Sequence, residues 1–587
     1  MDIEARERAT GAEQPATAGQ FSPRSIPFAA LASGGTLVAV VRWWTSHRRE
    51  MFHITPDEPG QLAIARFVGG AARWNMFDRS TWRPGYGTLI APIHWLTDDP
   101  VLFFNLALVV NAALGGLSCV LLCLLARRLT SLTWRGCVMA GVLVALAPAV
   151  LFSTNWVWSE ALVSATCLGT LLVALAFFDC PTIWRGLVMV LLAAAGFSAH
   201  SRLAPLAAVT AGLVVVALVQ RRLSIVQAAV VVATGALSLW AVARYSAWLV
   251  DRIWEAPTTT NTADGVLDRV TQPGPVVVSL AGQVWYQLVA TVGVAGLGAI
   301  VLIGRAIGRR DRTGGAEADR LLSAATARIV LVAIGALVAL AVVFMSDRYR
   351  PDQVVYGRYN DAVVGPLVIV GIGALTTASA RLLTRSLLAV AFAIVATAVV
   401  LRVWRNEALA ADGVVRAMVL GLAPYRGEIT IDVVAISRLA LIVLVVIGAV
   451  ALIARRLDRR WAVLAVLLPL LAVAWVRSRE VLDRSVNSWA LAEGTADRLR
   501  EALPAGQPVR FRVVTNDEDP AATWGDQRLR TMTYQFYLPD NAMTEDGPEV
   551  GPGYVFAPLA DPDLLAAGGV VRWRDPRVRI GLWFVPS

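Results

Sequence analysis

Long apolar runs dominate this chain and rule out an ordinary water-soluble globule. They fall at about 26 to 44, 101 to 126, 136 to 152, 160 to 178, 186 to 199, 203 to 219, 224 to 248, 276 to 304, 326 to 345, 361 to 379, 386 to 404, 435 to 455 and 461 to 476. With 56% hydrophobic and 16% charged residues, that much apolar surface needs a solvent as apolar as itself. A helix crosses the hydrocarbon of a bilayer in roughly 20 residues. The expectation is an α-helical polytopic membrane protein of about 13 transmembrane helices. Residues 1 to 25 mix Asp, Glu and Arg ahead of the first run, unlike the compact basic start of a signal peptide, so that run reads as an uncleaved span.

Every one of the 53 basic residues other than histidine is arginine. Arginine clusters follow alternate runs: Arg127, Arg128 and Arg135; Arg221 and Arg222; Arg305, Arg309, Arg310 and Arg312; Arg381 and Arg385; Arg455, Arg456, Arg459 and Arg460. By the positive-inside bias these loops are cytoplasmic. The N-terminus is then inside, residues 45 to 100, 153 to 159, 200 to 202, 249 to 275, 346 to 360 and 405 to 434 face outward, and the C-terminal segment lies outside. The net charge of +10 is spread over the ends of apolar runs rather than gathered on one basic face, which favours anionic lipid over nucleic acid as partner. Cys119, Cys123, Cys137, Cys167 and Cys180 lie in or beside apolar runs and imply neither a disulfide framework nor a metal spacing.

From 478 to 587 the pattern changes. VRFRVVT and VRIGLWFVP read as strands and DPDLLAAGG as a short helix with a glycine stop, so this stretch is expected to be a small extracytoplasmic α+β domain after a 26–477 membrane domain. The acidic TNDEDP lacks the spaced ligands of a calcium loop and reads as a solvated turn.

Outer-face residues carry the chemistry. In HITPDEPGQLAIARFVGG, Pro59 suits the first turn of a helix with Asp57 or Glu58 at its cap. Ile64, Phe67, Val68, Ala71 and Trp74 then recur at helical spacing, as in a helix lying on a membrane surface, and a second surface helix is expected at 85 to 97. The same loop holds Arg83, Tyr86 and His94, whereas Asp98 and Asp99 before Pro100 read as caps. Glu160 opens the fourth run, and His200 and Arg202 share the turn after the fifth. SDRYRPDQVVYGRYND adds Arg350, Arg358 and Tyr359, and an arginine fork suits a phosphate. The centres of the runs hold almost no charged residue, which argues against an ion relay across the bilayer.

The chain resembles the GT-C fold glycosyltransferases, which transfer sugars from polyprenyl-phosphate donors on the outer face of the membrane. It is nearest the group that includes protein O-mannosyltransferases and the aminoarabinose transferases of lipid A. The likeness rests on Asp57-Glu58 in a long first outer loop, on Glu160 at the start of the fourth span, on Arg202 in the next outer turn and on YGRYND before a late span. It implies Asp57 as the base that deprotonates an acceptor hydroxyl, Glu58 orienting the acceptor or Asp57, and Glu160 as the second acid. It further implies Arg358, then Arg202, with Tyr359 and Arg350, at the donor phosphate, and His200, Arg83 and Tyr86 at the sugar or acceptor. A divalent ion such as Mg2+ or Mn2+ shared by Asp57 and Glu160 stays open. The absence of lysine removes the lysine donor contacts of some relatives. The expected partners are a polyprenyl-phosphate-linked sugar, an envelope glycan, lipid or protein acceptor, and the lipids of a bacterial plasma membrane. A lipid-linked glycan flippase and a non-catalytic assembly subunit are the alternatives.

Overall fold

A computed structural model describes residues 27–53, 56–74, 76, 81–254, 263–308, 322–346, 350–410, 415, 418–425, 431–457, 462–483, 490–492, 494–512, 530–545 and 550–587. TNDEDP lies outside them. Among the described residues, seven helices are long and apolar enough to cross a membrane, eight if one bent pair is taken as a single span. Thirteen full-length spans is therefore not the count the helices give, and the difference has local causes. The run at 136 to 152 divides into Trp134–Ala145 and Pro148–Ser153, because Pro148 has no N–H to continue the ladder and starts a helix instead. The run at 276 to 304 bends by 111° between Pro273–Ala290 and Val294–Ala306, with Val292 (φ 49) and Gly293 (φ 79) both in the left-handed region. Trp134–Ala145, Ile183–Ala199 and Gly365–Thr377 are apolar but shorter.

The two ends of the bundle differ chemically. At one end arginines bond to the carbonyls that helix C-termini leave unpaired: Arg222 to those of Phe178 and Asp179, Arg185 to those of Ala176 and Cys180, and Arg455 to those of Ala374, Leu375 and Ala378. Arg128 pairs with Asp179 there. At the other end gather the residues around 57, 158, 202 and 358.

Asp99 caps Pro100–Leu129 through the N–H groups of Val101 and Leu102, as its position before proline implies. Asp57 and Glu58 form the first turn of the Asp57–Gly69 helix, which Gly70 (φ 90) stops short of Ala71 and Trp74. This helix does not lie on lipid, because its residues from Glu58 to Arg66 are buried in protein. Arg66 donates to the carbonyls of Gln535 (2.7 Å) and Leu538 (2.8 Å) at the end of helix 530–537, and Phe52 meets Phe536 edge-on at 5.8 Å. One apolar core thus runs from Leu62 and Ile64 of the first loop to Val509, Phe511 and Phe556 of the C-terminal region. The region itself is a mixed five-stranded sheet in the order β2-β1-β3-β5-β4, with β1 Val509–Phe511, β2 Met543–Glu545, β3 Gly553–Pro558, β4 Val570–Arg574 and β5 Ile580–Val585. β1 pairs parallel with β2 and β3, and β5 pairs antiparallel with β3 and β4.

Candidate active site

Four charges from four separate segments form an alternating ladder. Asp57 Oδ2 accepts from Arg358 Nη1 at 2.9 Å, Arg358 Nε donates to Glu160 Oε1, and Glu160 Oε2 accepts from Arg202 Nη2 at 3.1 Å. Arg202 Nη1 adds a longer bond to Glu160 Oε1 at 3.4 Å. Two carboxylates and two guanidinium groups leave the ladder neutral, which is how buried charges escape a desolvation penalty of several kcal/mol each. Only the Asp57 end is accessible: its side chain is 21% exposed, against 4% for Arg358, 0% for Glu160 and 2% for Arg202.

Aromatic rings hold the guanidinium groups from the side. Arg358 lies 3.7 Å over Trp158 and Arg202 4.6 Å over Tyr359, whose edge meets His200 at 5.2 Å and Tyr356 at 4.7 Å. Burial opposes the charge on Arg358, but Asp57 and Glu160 together outweigh it and hold the group protonated well above its usual range. Asp57 Oδ1 accepts from Trp82 Nε1 at 3.0 Å, so both oxygens are oriented while the carboxylate still reaches solvent.

The remaining expected residues divide. His200 Nδ1 accepts the Arg202 N–H at 3.1 Å, and burial followed by Arg202 holds the imidazole neutral. Arg83 lies 4.3 Å over Phe197 and makes no ion pair among the described residues. Three others are turned to different tasks. Glu58 is wholly buried, with Oε2 on the His53 N–H and Oε1 on the Val157 N–H, both 2.8 Å. It ties the first loop to the turn that presents Trp158. Tyr86 is also wholly buried and donates to Asn111 Oδ1 at 2.8 Å. Arg350 forms a two-point pair with Asp352 (2.7 and 2.9 Å), away from the ladder.

Sequence reasoning passed over Trp82, Trp158, Tyr286 and Gly357. The only signals were tryptophans in WRPG and WVWSE beside charged residues. Gly357 precedes Arg358, and a Cβ there would overlap the Tyr286 ring, whose hydroxyl bonds Asp361 (2.9 Å) and the Gly421 N–H (2.9 Å). Gly357→Ala is therefore expected to destabilise the protein by about 1–3 kcal/mol through overpacking and to displace Arg358. A melting curve beside a ligand-binding assay checks this, and unchanged stability would show that the Tyr286 ring gives way freely.

A divalent ion shared by Asp57 and Glu160 does not fit this arrangement, because the Arg358 guanidinium bonds to both carboxylates from between them. Among the described residues no group of three His, Cys, Asp or Glu is gathered that could hold a metal. Beyond Arg358, at Asp361, begins a cavity of about 140 Å³ whose other walls are almost wholly apolar, including Val144, Val150, Val292, Ile372 and Leu470.

The fold is shared, over nearly the whole chain, with solved structures that are no more than 16% identical to it. The chain is similar to ArnT from Cupriavidus metallidurans bound to undecaprenyl phosphate, with a TM-score of 0.52, 16% identity and coverage of 94% of this chain and 97% of that one. Against ArnT in the apo state the TM-score is 0.52, the identity 16% and the coverage 95% and 98%. Arabinosyltransferase EmbB from Mycobacterium smegmatis gives a TM-score of 0.46 at 14% identity over 83% of this chain and 44% of its own. No family model matches the sequence, and no curated protein does.

Proposed function

We propose that this chain is an inverting glycosyltransferase that moves a sugar from a polyprenyl-phosphate donor to a hydroxyl of an envelope glycan, lipid or protein on the outer face of a bacterial plasma membrane. The observation that carries the reading is Asp57: it is the partly exposed carboxylate of the ladder, at the end a substrate reaches, with its orientation fixed by Trp82 and Arg358. The acceptor oxygen attacks the anomeric carbon, the bond from that carbon to the phosphate oxygen breaks, the prenyl phosphate leaves with the electron pair, and the acceptor proton passes to Asp57. A single displacement with Asp57 as the base inverts the anomeric carbon.

The leaving phosphate needs positive charge in a dry site. Arg358 and Arg202 belong to the ladder, but both are balanced by carboxylates. Arg83, which has no such partner among the described residues, supplies the excess charge. The apolar cavity beside Arg358–Asp361 suits a prenyl chain, and the undecaprenyl phosphate in the ArnT structure supports the same donor class.

The test is sugar transfer by the purified protein in lipid from a panel of prenyl-phosphate sugars. Transfer is expected, and it is expected to persist at the same rate after EDTA treatment. Loss on chelation with recovery on adding Mg2+ would place an ion in the site. Binding of prenyl phosphate without transfer from any donor would favour a flippase or an assembly role.

A further inference from the structure

Asp361 is a buried acid that the transfer chemistry does not use. It sits one helical turn after Arg358, is 2% exposed, and is the ionisable group among the residues lining the apolar cavity. Its oxygens accept from two neutral donors, Tyr286 Oη at 2.9 Å and Gln287 Nε2 at 3.0 Å. No cation touches it among the described residues; Arg202 acts on it only through space. A carboxyl so placed, away from water and with no cation against it, has no partner that fixes it in the ionised form.

Gln287 supplies a second, independent sign. Its Oε1 is buried with no hydrogen-bond partner, a costly state for a polar atom. A half-turn of the amide would present Oε1 to a protonated Asp361 and Nε2 to an ionised one, so either form of the acid finds its complement. The groups facing Asp361 are Tyr286 and Gln287 from Pro273–Ala290, Arg202 from the 201–203 turn and Arg358 from its own helix. The other cavity-lining segments contribute no ionisable side chain.

We propose that Asp361 is a proton-binding site linked to anion binding at the arginines, taking up a proton when a phosphate settles against Arg83, Arg202 and Arg358 and releasing it when the phosphate leaves. The inference rests on the proposed function for the claim that a phosphate binds there. The physics is linkage: the positive field of Arg202 favours ionised Asp361, and an arriving anion cancels that field. By reciprocity the anion binds more weakly as pH rises and Asp361 loses its proton.

Infrared difference spectroscopy of the protein in bilayers tests this without requiring turnover. At a pH just above neutral, adding undecaprenyl phosphate is expected to raise a protonated-carboxyl band that Asp361→Asn lacks. Without lipid, the same band is expected to titrate and to shift to higher pH in Tyr286→Phe, which loses a donor to the ionised form. A band that ignores a bound lipid, survives Asp361→Asn or does not titrate between pH 5 and 9 would overturn the proposal. If the lipid does not bind at all, the donor reading fails, and the lipid-free titration alone decides whether Asp361 is a proton site.

Discussion

Asp57→Asn is expected to slow sugar transfer by about 10²- to 10⁴-fold, the usual contribution of a positioned general base. The amide oxygen can still accept from Trp82 Nε1, but the amide NH2 then faces Arg358, which keeps only its bond to Glu160, so the ladder carries an excess positive charge and some stability is lost beside the rate. What disappears is the lone pair with enough basicity to take the acceptor proton. Initial rates with a prenyl-phosphate sugar, read beside donor binding and a melting curve, separate loss of chemistry from loss of structure. Full activity in this variant would remove Asp57 as base and leave no other exposed acid in the ladder to replace it.

Glu160→Gln is expected to act on stability first. It leaves Arg202 and Arg358, 2% and 4% exposed, side by side with only Asp57 to balance them. Stripping one partner from a buried ion pair typically costs about 3–5 kcal/mol, since the remaining charge is neither solvated nor neutralised. The melting temperature should fall sharply. Adding Arg202→Met should recover part of the loss, because it removes the charge that Glu160→Gln strands; in a double-mutant cycle the two changes are then less than additive. If the double variant is no more stable than additivity predicts, the two side chains are not coupled and the ladder is not a unit.

The sequence determines much of this molecule by local rules. Asp99 before Pro100 calls for a cap and Pro59 after Asp57-Glu58 for a first helical turn, and both appear where the residues require them; of the long apolar runs, seven hold helices long enough to cross a membrane among the described residues. In the C-terminal region VRFRVVT and VRIGLWFVP hold β1 and β5 and DPDLLAAGG holds the Pro562–Ala566 helix, whereas β2, β3 and β4 carry no such signal. Helix continuity was less legible, because an apolar run looks unbroken until Pro148 restarts it or Val292 and Gly293 turn it through 111°.

Only tertiary structure decides which polar residues do what. Neighbouring positions on a helix point about 100° apart, so Asp57 and Glu58, alike in sequence, face different worlds. Packing sends Asp57 to Arg358 and solvent, and Glu58 inward to the N–H groups of His53 and Val157. Tyr86 and Arg350 looked like members of the site but find nearer partners in Asn111 and Asp352. Trp82 and Trp158 carried no pattern, yet one aims the base and the other holds its arginine. Charges 301 positions apart meet because burying either alone is prohibitive, and no local rule can express that condition.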